Sequence, residues 1–413
     1  MSEQVTVLGA GMVGVSCALE LQRQGFQVRL LDRRGPGEET SYGNAGLLSF
    51  SNITPIADPA LWRRLPRLAL NLENDLLLHY AHLPWLLPWI ARFLANCRRG
   101  PYLDDGARMY QLVNASIELH HRWIDEAGAT GLMNYGGALK LFRRRRSFER
   151  QALEHELLQH CGVRFSELDA QQAYELEPGL RRIFERAVLV EDTVSIRDPG
   201  KLCQHYARLF GDAGGEVVRA EVGAIRAAES GWEVTTHQGV EPAERLVVCL
   251  GAWTPALLAP LGYANPLAIE RGYHMMFSAQ GDARLSRPIF DVDASYVMAP
   301  MEAGLRVSTG TNLVYRDTRI DARQLGRVVP CAREAFPLGQ ALLDQPWMGR
   351  RPTLPDTLPI IGPAPAHENL WLAFGHSHMG FTLGPITGRL IANAISGAPQ
   401  PVSPAACAPS RYL

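Results

Sequence analysis

Apolar positions in this chain recur with a period near two in some stretches and near 3.6 in others, so strands and helices alternate along it. The clearest unit is the first. Val5 to Leu8 is a short apolar run that predicts a buried strand. Gly9-Ala10-Gly11-Met12-Val13-Gly14 breaks it, and a helical pattern follows with Val15, Ala18 and Leu19 on one face. Gly25 stops that helix, and Val28 to Leu31 predict a second strand ending in Asp32. Further on, the pattern predicts helices over 109–127 and 201–213 and strands over 135–142, 217–225 and 232–236. The apolar run 246–250 ends in Gly251 and has the look of a parallel strand buried on both faces. Strands and turns fill the stretch from Pro266 to Val314, as in an antiparallel sheet. Near the end, a strand over 370–374 meets the glycine-rich turn 375–380. A helix then runs through Ile395 and closes at Gly397.

The opening unit is the pattern of a dinucleotide site. Gly9 permits a tight turn, Gly11 lets a pyrophosphate approach the backbone, and Gly14 lets the helix pack on the strand. The free N–H groups of the helix N-terminus face the phosphates. Asp32 stands where a carboxylate accepts from a ribose 2′-hydroxyl, which disfavours a 2′-phosphate. The turn at 375–380 repeats the logic at the other end of the chain. Two such turns suit one long cofactor. A second helix N-terminus suits the negative charge that a reduced isoalloxazine ring carries, so FAD is expected over NAD. Between the two, Glu39 to Ser49 has neither period; it is either a plain loop or a segment laid along a flat ligand.

Bulk composition narrows the class. The chain has 413 residues, 46% of them hydrophobic, and a net charge of −1, which gives no general pull toward nucleic acid. Of 41 basic residues only Lys140 and Lys201 are lysines. Seven cysteines without a CxxC spacing are expected to be reduced and buried, in a cytoplasmic protein. The first strand starts almost at once, which leaves no room for a signal peptide ahead of it. Residues 61–99 combine Trp62, Trp85 and Trp89 with leucines and six arginines. Its most apolar run, Leu83 to Ala95, is too short and too broken by Pro84 and Pro88 to span a bilayer. The region either packs on the protein or lies in a membrane interface, peripheral on the inner face of the cell membrane. The block Arg143 to Arg146 is expected to be solvated. His155 and His160 miss the spacing of a zinc helix, and His376 and His378 lack a nearby acid or thiol, so no metal is expected.

These pieces together resemble the FAD-dependent D-amino-acid oxidase superfamily, most of all the bacterial D-amino-acid dehydrogenases of the small-subunit type. The resemblance rests on VLGAGMVG with Asp32, ETSYGNAGLLS, VVCLGAWT, ERGY at 270–273, GRRPTLPDTLPIIG and GHSHMGFTLGPITG, in that order from end to end. It implies an α/β fold: a Rossmann-like FAD-binding domain with a parallel sheet, interleaved with an α+β substrate domain carrying a mixed or antiparallel sheet. The FAD domain would comprise 1–52, 196–254 and 345–413, and the substrate domain 53–195 and 255–344. FAD would be held non-covalently by Gly9, Gly11, Gly14, Asp32, Arg33, Ser41, Asn44, Ala45, Gly46, Val222, Gly251, Gly380, Phe381 and Thr382. Arg351 would grip a substrate carboxylate, with Tyr273 adding a hydroxyl and His376 or Tyr42 lining the ring. Which of Arg350 and Arg351 points inward stays open.

The implied reaction is hydride transfer from Cα of an amino acid to flavin N5, with the imine then hydrolysed. The expected substrate is a D-amino acid or a cyclic D-imino acid such as a D-proline derivative. Neither lysine falls in a motif beside the ring, which favours a quinone or another acceptor over oxygen. An oxygen-using secondary-amine oxidase of the glycine or sarcosine type, and a flavin-binding subunit of a larger complex, are the alternatives.

Overall fold

The computed structural model describes residues 3–264, 267–315 and 319–413. Met1, Ser2 and Pro266, which belong to the expected first segment and antiparallel stretch, lie outside them. The opening unit forms as expected: strand Gln4–Leu8, helix Met12–Arg23, strand Gln27–Asp32. These strands sit in a six-stranded sheet ordered Glu216–Arg219, Gln27–Asp32, Gln4–Leu8, Arg245–Val248, Leu370–Phe374, Ile360–Pro363. The first five are parallel and the last is antiparallel. Val5, Val7, Leu30, Val247 and Leu372 are fully buried, as strands covered on both faces require. Helix Gly380–Ser396 crosses Met12–Arg23 closely, with Gly384 and Gly388 against the backbone of Met12 and Ser16. The two glycine-rich turns, far apart in sequence, therefore open at the same end of one sheet.

Residues 217–225 do not form one strand. Glu216–Arg219 joins the parallel sheet, and Ala220 donates its N–H to the Asp32 carbonyl at 2.8 Å. The chain then leaves the sheet and starts a three-stranded antiparallel meander at Val222–Ala227. Likewise 135–142 splits at Gly136 and Gly137, both with positive φ, into Met133–Tyr135 and Ala138–Phe142.

A large mixed sheet faces the first. Its longest strand, Ala268–Ala279, pairs antiparallel with Gly304–Thr309, Thr311–Val314, Leu338–Ala341 and Trp347–Thr353. Residues 347–353 thus hydrogen-bond into this sheet rather than the parallel one. From Gly304–Thr309 the sheet continues through Tyr296–Met301, Ile289–Asp291 and Ala138–Phe142. Helix Arg323–Ala335 covers one face, with Leu325, Val328 and Ala332 packed in the core of Tyr273, Phe277 and Val307. The other face is turned to the cavity described below.

Residues 61–99 divide between the two readings. Helix Leu83–Asn96 buries Leu86, Trp89 and Phe93, and Trp89 Nε1 donates to the Thr353 carbonyl at 3.0 Å. Trp62, Tyr80, Trp85 and Leu87 each stay more than half exposed. Among the described residues no helix is long and apolar enough to cross a membrane. The arginine block is only partly solvated: Arg143 ion-pairs with buried Asp291 and with Glu334, while the next three are exposed. All seven cysteines are free, but Cys161 and Cys331 are half-buried rather than buried.

Candidate functional site

A cavity of about 1010 Å³ lies between the C-terminal ends of the parallel strands and the open face of the large sheet. Its first wall is mostly backbone. Gly9 sits at φ +102°, and a Cβ on Gly14, just behind the turn, would overlap the Gly9 carbonyl oxygen. Gly11 lines the opening, and the Met12 N–H donates to Ser41 Oγ at 3.0 Å. Asp32 accepts from the amides of Ala10 at 2.6 Å and Arg34 at 2.9 Å. Burial pushes its pKa up while those two amides oppose the shift. Arg33 lies 4.5 Å from the ring centre of Trp253 and pairs with Glu39.

The same wall continues toward the second turn. Asn44, Ala45, Val222, Gly251, Gly380 and Phe381 all line the cavity. Gly46 and Thr382 do not. Gly46, at φ +74°, lies against the Ile196 carbonyl. Thr382 Oγ1 donates to the Leu47 carbonyl at 2.9 Å, tying the 41–48 segment to the C-terminal helix. Both stand behind the wall and shape it. Tyr42 is 41% exposed with its ring beside Arg306, and it is not among the lining residues.

The opposite wall is built from side chains. Alternation along Ala268–Ala279 puts Glu270, Gly272 and His274 on one face, and all three line the cavity. Arg351 is the direct cross-strand partner of Glu270. Its guanidinium lies flat over Gly272, where a Cβ would collide with it. Among the described residues Arg351 makes no hydrogen bond and no ion pair within 4 Å. Burial lowers its pKa and the charge of Glu270 opposes that. Arg350 also borders the cavity, 5.5 Å from the centre of Trp253, but it pairs across the ladder with Arg271, whereas Arg351 pairs with Glu270 on the face that carries Gly272 and His274.

Tyr273, expected at the substrate carboxylate, and His376, expected to line the ring, both border the cavity, and each has a polar contact within the protein. The Tyr273 hydroxyl accepts from the Asp321 amide at 3.1 Å, and its ring, 1% exposed, packs beneath helix Arg323–Ala335. Tyr273 borders the cavity, but it directly follows Gly272 in the strand, and alternation sends its side chain to the far face. His376 borders the cavity too, with Nε2 at 3.0 Å from Thr387 Oγ1, and burial pushes its pKa down to about 3. Ser377 beside it holds φ 49°, an unusual value for a non-glycine residue.

Several residues that line the cavity, and Arg306 behind its lining, were not read from the sequence. His274 stacks on Trp347 at 4.8 Å and 17°. Arg306, pushed down to about 10 by burial, donates to the Tyr42 and Asn44 carbonyls and fixes that segment. His378 lies close enough to Arg351 that the arginine adds to the burial that pushes it down to about 4. Glu270 and His274 had a signal available, the i, i+2 spacing around Gly272. Lys140 also lines the cavity, ion-paired with Glu154. It lies in the row His274, Ser308, Val297, Phe290, Lys140, four strands from His274 or roughly 19 Å.

Comparison with known proteins agrees with this geometry. Residues 4–394 match the profile of the FAD-dependent oxidoreductases known as DAO. The chain belongs to that family. A D-amino-acid oxidase of Bradyrhizobium diazoefficiens is 31% identical over 420 residues, 99% of each chain. A D-amino acid dehydrogenase of Methylobacterium nodulans is 31% identical over 431 residues, again 99% of each. Among solved structures, glycine oxidase from Geobacillus kaustophilus superposes with a TM-score of 0.76 at 21% identity, covering all of both chains. As a member of the family this chain is an FAD-dependent oxidoreductase. Its residues fit the cofactor: the Gly9 turn with a Cβ-free approach, the amide of Met12 at a helix N-terminus, and Asp32 on the cavity edge.

Proposed function

We infer that this enzyme oxidises an α-amino acid at its Cα–N bond, preferentially a D-amino acid or a cyclic D-imino acid of the proline type. The observation that carries the reading is Arg351. A guanidinium with no hydrogen-bond or ion-pair partner among the described residues, laid over a glycine in a cavity continuous with a dinucleotide cradle, is a receptor for a carboxylate. Two parallel N–H···O bonds would fix Cα and its hydrogen relative to the cofactor wall. Bound FAD supplies the hydride acceptor. It would be held by Gly9, Gly11, Asp32, Arg33 and Val222 at the nucleotide end, and by Ser41, Asn44, Ala45, Gly251, Gly380 and Phe381 along its length, backed by Gly14, Gly46 and Thr382. The curated relatives named D-amino acid dehydrogenase support the D series and a non-oxygen acceptor such as a quinone.

On this reading 1–52, 196–254 and 345–413 form the FAD-binding domain and 53–195 with 255–344 the substrate domain. The exposed Trp62, Tyr80, Trp85 and Leu87 beside exposed Arg63, Arg67 and Arg92 would meet an anionic membrane surface, where a quinone is available.

Lys140 favours one other reading. A lysine in the same cavity is a charge that could stabilise superoxide, as an oxygen-using secondary-amine oxidase needs. Its ion pair with Glu154 and its distance from His274 weigh against it. The deciding experiment is anaerobic: the holoenzyme is mixed with D- and L-amino acids, including proline and hydroxyproline isomers, sarcosine and glycine, while flavin absorbance is followed. Bleaching by the D series, with slow recovery on admitting air and fast recovery with a quinone analogue, is the expected result. Bleaching by sarcosine or glycine alone, with peroxide release in air, would replace the proposal with the oxidase reading. No bleaching by any of them would leave a flavin-binding subunit.

A further inference from the structure

Glu270 is a buried carboxylate, 4% exposed, that lines the cavity and has no part in the reaction described above. It stands directly across the ladder from Arg351. Charges so placed usually close into an ion pair, but this pair stays open. The Arg351 guanidinium leans along the strand to lie over Gly272, and the Glu270 carboxylate is held by hydroxyls, accepting from Thr311 Oγ1 at 3.2 Å and from the Thr353 side chain. The cavity wall therefore presents a positive and a negative group side by side, each partly desolvated and neither neutralised by contact with the other.

Their separation has a natural size. Glu270 and Gly272 are two residues apart on one strand face, about 6.6 Å. A ligand that joins the two groups through charge-assisted hydrogen bonds of about 2.8 Å each must carry its own anion and cation a few ångströms apart. An α-amino acid zwitterion does so. A hydroxy acid or a simple carboxylate does not.

We propose that Glu270 is the second pole of the substrate site, binding the α-ammonium group while Arg351 binds the α-carboxylate, and that it takes up the proton the ammonium must lose. In that step an N–H bond breaks and an O–H bond forms on Glu270. The freed nitrogen lone pair becomes the π pair of the C=N bond as the Cα hydrogen leaves as hydride to oxidised FAD. Burial raises the proton affinity of Glu270, in the direction a proton acceptor needs, while Arg351 opposes it. The role also accounts for Gly272: only a residue without Cβ lets the guanidinium clear Glu270 and face the ligand. Arg351 without Glu270 would favour any carboxylate; the two together select amino acids.

The inference rests on the amino-acid reading, and its test separates the two. Glu270→Gln holoenzyme is compared with wild type in two measurements. One is anaerobic kcat/KM for the best amino-acid substrate. The other is the Kd of benzoate and of acetate, read from the perturbed flavin spectrum. The expected result is a fall in kcat/KM of about 10- to 150-fold, the range of one lost charge-assisted hydrogen bond, with carboxylate Kd unchanged or tighter. A parallel loss of carboxylate affinity would overturn the proposal, because Glu270 would then act only by positioning Arg351. An unchanged kcat/KM would overturn it as well. If Glu270→Gln does not retain flavin, Glu270→Asp serves: it keeps the charge but draws it back, so amino-acid kcat/KM falls and carboxylate Kd does not. Equal losses in both readouts would again reject the role. A wild-type enzyme that no amino acid reduces would instead reject the functional reading itself.

Discussion

The two walls of the cavity are made of different materials. The nucleotide wall is backbone: the Gly9 turn, the Met12 amide, and the 41–46 segment held by Ser41 and Asn44. The sheet wall is side chain: Glu270, His274 and Arg351, placed by strand alternation and by the ladder register. Backbone walls tolerate almost no added atoms but are indifferent to charge. Side-chain walls hold specificity, and each residue can be removed without collapse. Substitutions on the two walls should therefore fail in different ways.

The largest effect is expected from Gly14→Ala. The added methyl meets the Gly9 carbonyl oxygen, so the turn must open. Overpacking of about 1–3 kcal/mol falls on the cofactor site, and flavin content of the purified protein should drop at least ~10-fold. Full flavin content would show that the first wall is less rigid than its contacts imply. Next is Arg351→Ala, where flavin stays and KM rises by about 10- to 150-fold from the lost carboxylate bonds. Loss of flavin instead would mean that the two walls are not independent.

Acid stability follows. His120, His274 and His376 are buried and held near about 4, 3 and 3, well below an unfolded imidazole at about 6.5. Each binds a proton in the unfolded chain before it does so in the folded one. Stability is therefore retained above pH 6.5 and lost as pH falls from there toward the folded values, at up to about 1.4 kcal/mol per pH unit for each group. Urea unfolding at pH 7.5, 6.0 and 5.0 measures this, and His376→Gln should flatten the slope while leaving KM unchanged. The smallest change is Tyr273→Phe. Removing a hydroxyl that accepts from the Asp321 amide should cost about 1 kcal/mol of stability and leave KM within ~2-fold of wild type, in contrast to Arg351→Ala. A large KM effect would put the hydroxyl back at the substrate. On the outer surface, Trp62→Ser with Trp85→Ser should abolish co-sedimentation with anionic vesicles without changing solution kinetics.

How much of this was legible depended on which wall was being read. The Gly9–Asp32 unit carries its own geometry, because glycine spacing acts through the local backbone and needs no distant partner. The final turn and helix were legible for the same reason. Other features depended on partners distant in the chain. Tyr273 and His376 stand in the right segments, but the face on which each side chain emerges was decided by pairing with Trp347–Thr353 and by packing on Thr387. The strand expected over 217–225 broke because Ala220 hydrogen-bonds the Asp32 carbonyl, a partner 188 positions earlier.

The sequence by itself determined the class of fold and the dinucleotide cradle, and it narrowed the proposed carboxylate receptor to Arg350 or Arg351. In each case the residue type has few physical alternatives: glycine where Cβ has no room, guanidinium where a carboxylate must be held in two places. Only the tertiary structure decided that Glu270 and Arg351 stand as open neighbours, that Tyr273 faces the core, and that Trp89 turns inward while Trp85 stays exposed. The first two depend on strand register, where a shift of one residue exchanges the two faces of a strand, and the third on which face of helix Leu83–Asn96 meets Thr353. No short stretch of sequence records its register against a partner 80 residues away.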